Sequence, residues 1–325
     1  MWSWRVILSV HHSASSLLTP PPLRGRLGWG VIVGRDLESA RLMTPPALAG
    51  IDHTLVGVRD LEAARRLWAR LGFTLTPRGR HIGWGTANYC IMLARGYIEL
   101  LGILDPQQFT NNLDKFLETR EGLMGLAFAS DDPAATKARL EALGLHPDGP
   151  KDLKRYLELP EGDVLPEFRL LFLPKAETPD LSAFVCCHLT PALIRRPDWL
   201  DHANGAAALT GMTIISERPA EAAVAYRAFF GEHSVRPIRG GTEVVCGQEF
   251  LRFVTRDGFA ALYPGLGTWP SVAAPLPAAM SVAVREPSQT MTHLWNRAIR
   301  ADRDGDRIWV GPAEANGLVL EFVKL

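Results

Sequence analysis

Ile51-Asp52-His53-Thr54-Leu55-Val56-Gly57-Val58-Arg59-Asp60, followed by Leu61-Glu62-Ala63-Ala64-Arg65-Arg66-Leu67-Trp68-Ala69-Arg70-Leu71-Gly72, spells out a strand and then a helix. In the second stretch Leu61, Ala64, Leu67, Trp68 and Leu71 fall at i, i+3, i+6, i+7 and i+10, one face of a 3.6-residue period. Asp60 stands where an N-cap belongs and Gly72 where a C-terminal glycine belongs. Three extended runs follow, near Thr74 to Thr76, Tyr89 to Leu93 and Tyr97 to Leu101. The order is βαβββ.

The same pattern recurs three times, and repeats of this length decide the architecture. A second copy opens on Leu123 to Phe128, starts its helix at Asp132-Pro133, closes it at Gly144, and continues through runs near Leu157, Phe168 to Leu173 and Phe184 to His188. A third opens on Met212 to Ile215, with a helix from Pro219 to Phe230 and Gly231 after it; Glu221-Ala222-Ala223 lies on Glu62-Ala63-Ala64. The fourth opens on Met280 to Val284 and ends on Leu318 to Val323, with Leu294-Trp295-Asn296-Arg297 lying on Leu67-Trp68-Ala69-Arg70. The expected fold is α+β: four βαβββ modules pairing into two cup-shaped mixed β-sheets with helices outside. The expected organisation is an N-terminal extension at 1–48, a first domain at 49–191, a linker at 192–206 and a second domain at 207–325.

The copies differ in chemistry. These alignments place Gly125, Met212 and Met280 at the position of His53, so only the first copy begins with an imidazole. At the position of Glu99 the fourth copy offers Glu321, the third Arg252, and the second Cys186 and His188. An imidazole and a carboxylate at two strand positions of one module are natural ligands for a divalent metal. Glu99 lies within Ile98-Glu99-Leu100-Leu101, and a buried carboxylate there needs a metal, a cation or a proton.

Composition narrows the field. The chain has 325 residues, 47% hydrophobic and 22% charged, with 35 basic and 35 acidic residues, so a broad nucleic-acid surface is not expected. No apolar run reaches the roughly 18 residues that a membrane helix needs. The four cysteines, Cys90, Cys186, Cys187 and Cys246, include no CxxC pair and read as reduced thiols of a cytoplasmic protein. Met1 to Arg35 holds one acid-free, Arg- and Ser-rich stretch with Pro20-Pro21-Pro22; it reads as a disordered extension, or as a segment upstream of a start at Met43. Asp302-Arg303-Asp304-Gly305-Asp306 suggests a calcium loop, but its twelfth position is Ala313, so a charged hairpin is expected. Nucleotide-binding and serine-hydrolase motifs are missing from the sequence.

Gly50-Ile51-Asp52-His53, Leu61-Glu62-Ala63-Ala64, Leu71-Gly72-Phe73, Gly85-Thr86-Ala87-Asn88 and Tyr97-Ile98-Glu99-Leu100-Leu101-Gly102 together resemble the glyoxalase-like branch of the vicinal oxygen chelate superfamily. The resemblance is tightest over residues 50–104. It implies a divalent metal in the cup, held by first-strand and last-strand residues, with substrate chelating through neighbouring oxygens. Carried onto this chain, the ligands are His53 and Glu99, with His188 as the third because Gly125 cannot ligate. Glu99 is also the expected catalytic base. Fe, Mn, Zn, Ni and Co all suit such a donor set.

Four further residues are expected to contact substrate. His81 and Asn88 flank the Gly85-Thr86 turn, which an ordinary hairpin also explains. His202 and Asn204 belong to His202-Ala203-Asn204-Gly205, which resembles a His-x-Asn-Gly element of glyoxalase-like proteins and equally suits a linker turn. The expected function is therefore a metal-dependent lyase, isomerase or dioxygenase acting on a small oxygen-rich molecule, as monomer or homodimer without nucleic-acid or membrane partners. The alternatives are a metal-free protein that sequesters a small molecule and a scaffold whose cup is filled by its own side chains.

Overall fold

The computed structural model describes residues 46–266 and 272–325. Most of the expected N-terminal extension, and residues 267–271 of the loop before the fourth copy, lie outside the described residues. Ala47 and Leu48 are buried, and both donate their backbone N–H to Phe229 O, at 2.8 and 3.3 Å.

The four modules are present. The first runs β1 (Ile51–Gly57), α1 (Leu61–Arg70), β2 (Gly79–His81), β3 (Thr86–Met92) and β4 (Tyr97–Ile103). The second runs β5 (Gly122–Ala129), β6 (Asp148–Leu157), β7 (Glu167–Phe172) and β8 (Ala183–His188). Between them α2 (Leu113–Thr119) precedes β5, and α3 (Pro133–Ala142) follows it. The caps are as read: Asp60 accepts from Ala63 N–H, Asp132 from Ala134 and Ala135 N–H, and Gly72 and Gly144 take positive φ just past their helices. The run Thr74 to Thr76 is no strand. Thr74 N–H donates to His202 Nδ1, only Thr76 bonds to Cys90, and Pro77 cannot continue the ladder.

Eight strands close into a barrel in the order β1-β4-β3-β2-β6-β7-β8-β5, with β1 parallel to β4 and antiparallel to β5. The second half uses β9 (Ala206–Ile215), β10 (Val235–Ile238), β11 (Gly241–Cys246), β12 (Glu249–Val254), β13 (Leu276–Val284), β14 (Ala301–Asp304), β15 (Arg307–Val310) and β16 (Val319–Lys324). Their order, β10-β11-β12-β9-β13-β16-β15-β14, repeats the first sheet without its closing pair. In the first half ten-residue β6 reaches β2, whereas β14 is only four residues long. The Asp302 to Asp306 segment is the expected hairpin, joining β14 to β15.

The two halves share one core. Trp68 is fully buried and donates its indole N–H to Asn316 Oδ1 at 2.9 Å, while Phe73 stacks on Phe322. Thr54 and Val56 on β1 face this shared core, leaving His53 and Leu55 for the barrel interior.

Pairing register corrects two alignments made from the sequence. Leu55 stands opposite Glu99, and its counterparts Thr213 and Ser281 stand opposite Arg252 and Glu321. The positions matching His53 are therefore Gly211 and Ala279, each one residue before Met212 and Met280, and a one-residue slip turns a side chain to the other face. Trp295 shows the same slip: it is 82% exposed, while Leu294 occupies the fully buried site that Trp68 fills in the first module.

Candidate active site

Alternation along each strand gives the barrel its lining. From β4, Tyr97, Glu99 and Leu101 point inward; from β1, His53 and Leu55; from β7, Phe168, Leu170 and Phe172. They surround a cavity of about 90 Å³, with room on the order of several water molecules. The cup is therefore not filled completely by its own side chains.

His53 and Glu99 meet there, with His53 Nε2 3.6 Å from Glu99 Oε2. The other Glu99 oxygen accepts from Asn88 Nδ2 at 2.5 Å and lies 3.8 Å from His81 Nε2. His53 stacks on Tyr97, its cross-strand neighbour, with ring centroids 4.3 Å apart. Thus His53, Glu99, His81 and Asn88 converge on one cavity, all buried.

Sequence reasoning missed Asp52. Neighbours on a regular strand face opposite ways, but the β1–β5 pairing shifts between Ile51 and His53, and this bulge lets Asp52 turn beside His53. Asp52 Oδ2 accepts from His53 Nδ1 at 2.7 Å and from His188 Nε2 at 2.9 Å. Burial raises the Asp52 carboxyl, but the hydrogen bonds and charges of His188 and His53 overcome that and hold it well below the usual range. With Nδ1–H donated to Asp52, the neutral His53 ring carries its lone pair on Nε2, which faces the cavity.

His188 is thereby placed with Asp52, not with Glu99. Register explains why: Phe184, opposite Ala127, holds the place in the second module that Glu99 holds in the first. Phe184 lines the cavity edge-on to His53, and Gly125 stands where a second imidazole would be. His202 and Asn204 are also away from the cavity. His202 spans Thr74 N–H and Met92 O, and Asn204 caps Leu71 O and Ala206 N–H, so both pin the junction between the halves.

The matching positions of the second sheet are neutralised. Glu321, fully buried, is held by Arg307 at 2.6 Å and by Ser281, and Arg252 meets Glu243 at 2.8 Å. Arg307→Met strands the Glu321 carboxylate and is expected to cost about 3 kcal/mol in urea denaturation; a loss near zero would show that Glu321 finds other compensation.

A divalent ion can be tested against these donors. Two ligands about 2.1 Å from one ion at tetrahedral angles lie roughly 3.4 Å apart, close to the 3.6 Å between His53 Nε2 and Glu99 Oε2. Second-sphere Asp52 orients the imidazole as metal-bound histidines require. The donors fit. Among the described residues Asp52, His53 and Cys186 also bring one ligand atom each within 4.8 Å of one another; without an ion, burial raises the Cys186 thiol well above its ordinary value.

His81 carries a pH signature. Burial pushes its pKa below the ordinary 6.5; Glu99 pulls it up and Arg155 pushes it down. Between the lowered folded value and 6.5 the unfolded chain binds the extra proton, so this group removes stability as pH falls through that window. His81→Asn is expected to flatten the stability profile below pH 6.5, up to about 1.4 kcal/mol per pH unit. Urea midpoints that keep the wild-type slope would refute this.

A family model described as a glyoxalase-like domain matches residues 51–230. Among solved structures, a hypothetical protein from Staphylococcus aureus aligns at TM-score 0.61 and 12% identity, covering 85% of this chain and 99% of that one. A mutant 4-hydroxymandelate synthase from Streptomyces coelicolor aligns at 0.52 and 14%, covering 86% and 92%. A xylose isomerase-like TIM barrel/4-hydroxyphenylpyruvate dioxygenase fusion protein aligns at 0.50 and 14%, covering 89% of this chain and 52% of that one. At these identities the likeness is one of fold. No curated protein sequence matches the chain. Among the described residues no helix is long and apolar enough to cross a membrane.

Proposed function

Since the chain belongs to the glyoxalase-like domain family, we propose that its first half is an enzyme site acting on a small oxygen-bearing molecule, with a divalent metal as cofactor. The observation that carries this reading is the 3.6 Å approach of His53 Nε2 and Glu99 Oε2 inside a buried cavity. His53 and Glu99 would hold the ion, which when bound polarises a substrate oxygen as a Lewis acid. Asp52 keeps the His53 Nε2 lone pair facing the cavity. Asn88 fixes one Glu99 oxygen, and Glu99 accepts a proton from a substrate carbon beside a carbonyl and returns it to a neighbouring atom. The phenyl and aliphatic walls keep water from competing for that proton. Isomerase chemistry follows directly from such a transfer; lyase chemistry would also need a leaving group on the adjacent carbon, and dioxygenase chemistry would need O₂ and a redox-active metal.

A second reading rests on Phe184 and Gly125, which leave the second module without a ligand at either position: a metal-free protein that sequesters a small molecule. Metal analysis of untagged protein separates the two. About one divalent ion per chain supports the enzyme; metal-free protein that still binds ligand equally well after Glu99→Gln supports sequestration and removes the enzyme.

A further inference from the structure

Arg155 on β6 lines the cavity and is only 3% exposed. Its guanidinium carries five N–H donors and stays charged in any protein setting. Nη1 donates to Asn88 Oδ1 at 2.9 Å, and Nη2 makes a weak contact with Cys90 Sγ at 3.7 Å. Among the described residues it forms no salt bridge, unlike the arginines that line the second sheet. Glu99 is kept one residue away, because Asn88 stands between the two and bonds to each.

This placement is built. His81 faces Arg155 across the β2–β6 ladder, and Gly79 faces Asn88 across β2–β3. A Cβ on Gly79 would fall 2.1 Å from Arg155 Nη1, so the missing side chain is what lets the arginine cross β2 to reach Asn88. The Phe168 ring lies 5.7 Å from Arg155 Cζ and supplies a flat apolar wall. The acid of this cavity, Glu99, reaches the guanidinium only through Asn88, so a buried cation here gains from a carboxylate that bonds it directly.

We propose that Arg155 is an anion subsite that recognises the carboxylate of a small aromatic acid, whose ring lies among Phe168, Phe184 and Tyr97. The assignment deepens the enzyme reading: anchored at Arg155, such a molecule extends toward His53 and Glu99. The planar fork suits a carboxylate, and the apolar walls disfavour a doubly charged, strongly hydrated phosphate.

Calorimetry with benzoate and its neutral counterpart benzamide tests this on the full chain after chelation, so that the result does not depend on the metal. Benzoate is expected to bind on the order of tenfold or more tightly than benzamide. Arg155→Gln should erase that preference by weakening benzoate far more than benzamide, with Arg155→Lys intermediate. Gly79→Ala, whose Cβ would fall 2.1 Å from both Arg155 Nη1 and Asn88 Oδ1, displaces that bonded pair without removing the charge; it should weaken benzoate more than benzamide and serves if Arg155→Gln fails to fold. Equal binding of benzoate and benzamide, no benzoate binding, or an Arg155→Gln protein that keeps the preference overturns the proposal. Inorganic phosphate that displaces benzoate at lower concentration than benzoate itself binds also overturns it. A chelated protein that passes while metal analysis finds no ion leaves the subsite standing and sinks only the enzyme reading.

Discussion

Glu99→Gln is expected to lower affinity for Mn²⁺ or Co²⁺ by on the order of a hundredfold, read by calorimetry on chelated and dialysed protein. The amide keeps the shape of the side chain but supplies no negative charge, and an ion loses its one carboxylate donor. His53→Ala should lose as much, since Nε2 is the other donor 3.6 Å away. Asp52→Asn is the informative intermediate. An asparagine oxygen can still accept from both His53 and His188, as the single Asp52 oxygen does, but it brings no negative charge to hold them. Affinity should fall tenfold to a hundredfold, as second-sphere losses do. Unchanged affinity in Glu99→Gln would remove the metal from this cavity.

Trp68→Ala should cost about 3–5 kcal/mol of folding stability, and Trp295→Ala within about 0.5 kcal/mol of nothing. Both are tryptophans that follow a leucine near the end of a module helix. Trp68 is fully buried between the halves and loses a hydrogen bond with Asn316 when truncated, whereas Trp295 is 82% exposed. Urea denaturation of both variants decides it. Similar losses in the two would mean that the α1 face does not clamp the halves together.

Much of the fold was legible because its signals are local. The period-3.6 face of α1, the Asp60 and Asp132 caps and the glycines Gly72, Gly144 and Gly231 after the first three module helices depend on residues a few positions apart. The period-2 alternation of β4 put Glu99 on one face with Tyr97 and Leu101, and the repeat put His53 at the head of the neighbouring strand. Those two residues do share a cavity. Register was less accessible. Matching single glycine and Leu-Trp positions set Met212 and Met280 at the His53 position, but in the structure both the helices and the paired strands of the later copies lie one residue earlier. His188 fell to the same problem, since spacing alone could not tell that Phe184 is the inward residue opposite Ala127.

What the sequence by itself determined is the module: which residues make strands, where helices start and stop, and that only one copy carries both an imidazole and a carboxylate. Tertiary structure alone decided what surrounds that pair. A bulge turns Asp52 toward His53, and β2 joins β6 to close the first barrel. Arg155 then passes over Gly79, while Arg307 closes off the corresponding acid of the second half. The physical reason is distance along the chain. Caps and periodicity are set within one or two turns, but the charge balance of a cavity is set by strands dozens of residues apart, whose register is fixed only when the sheet assembles.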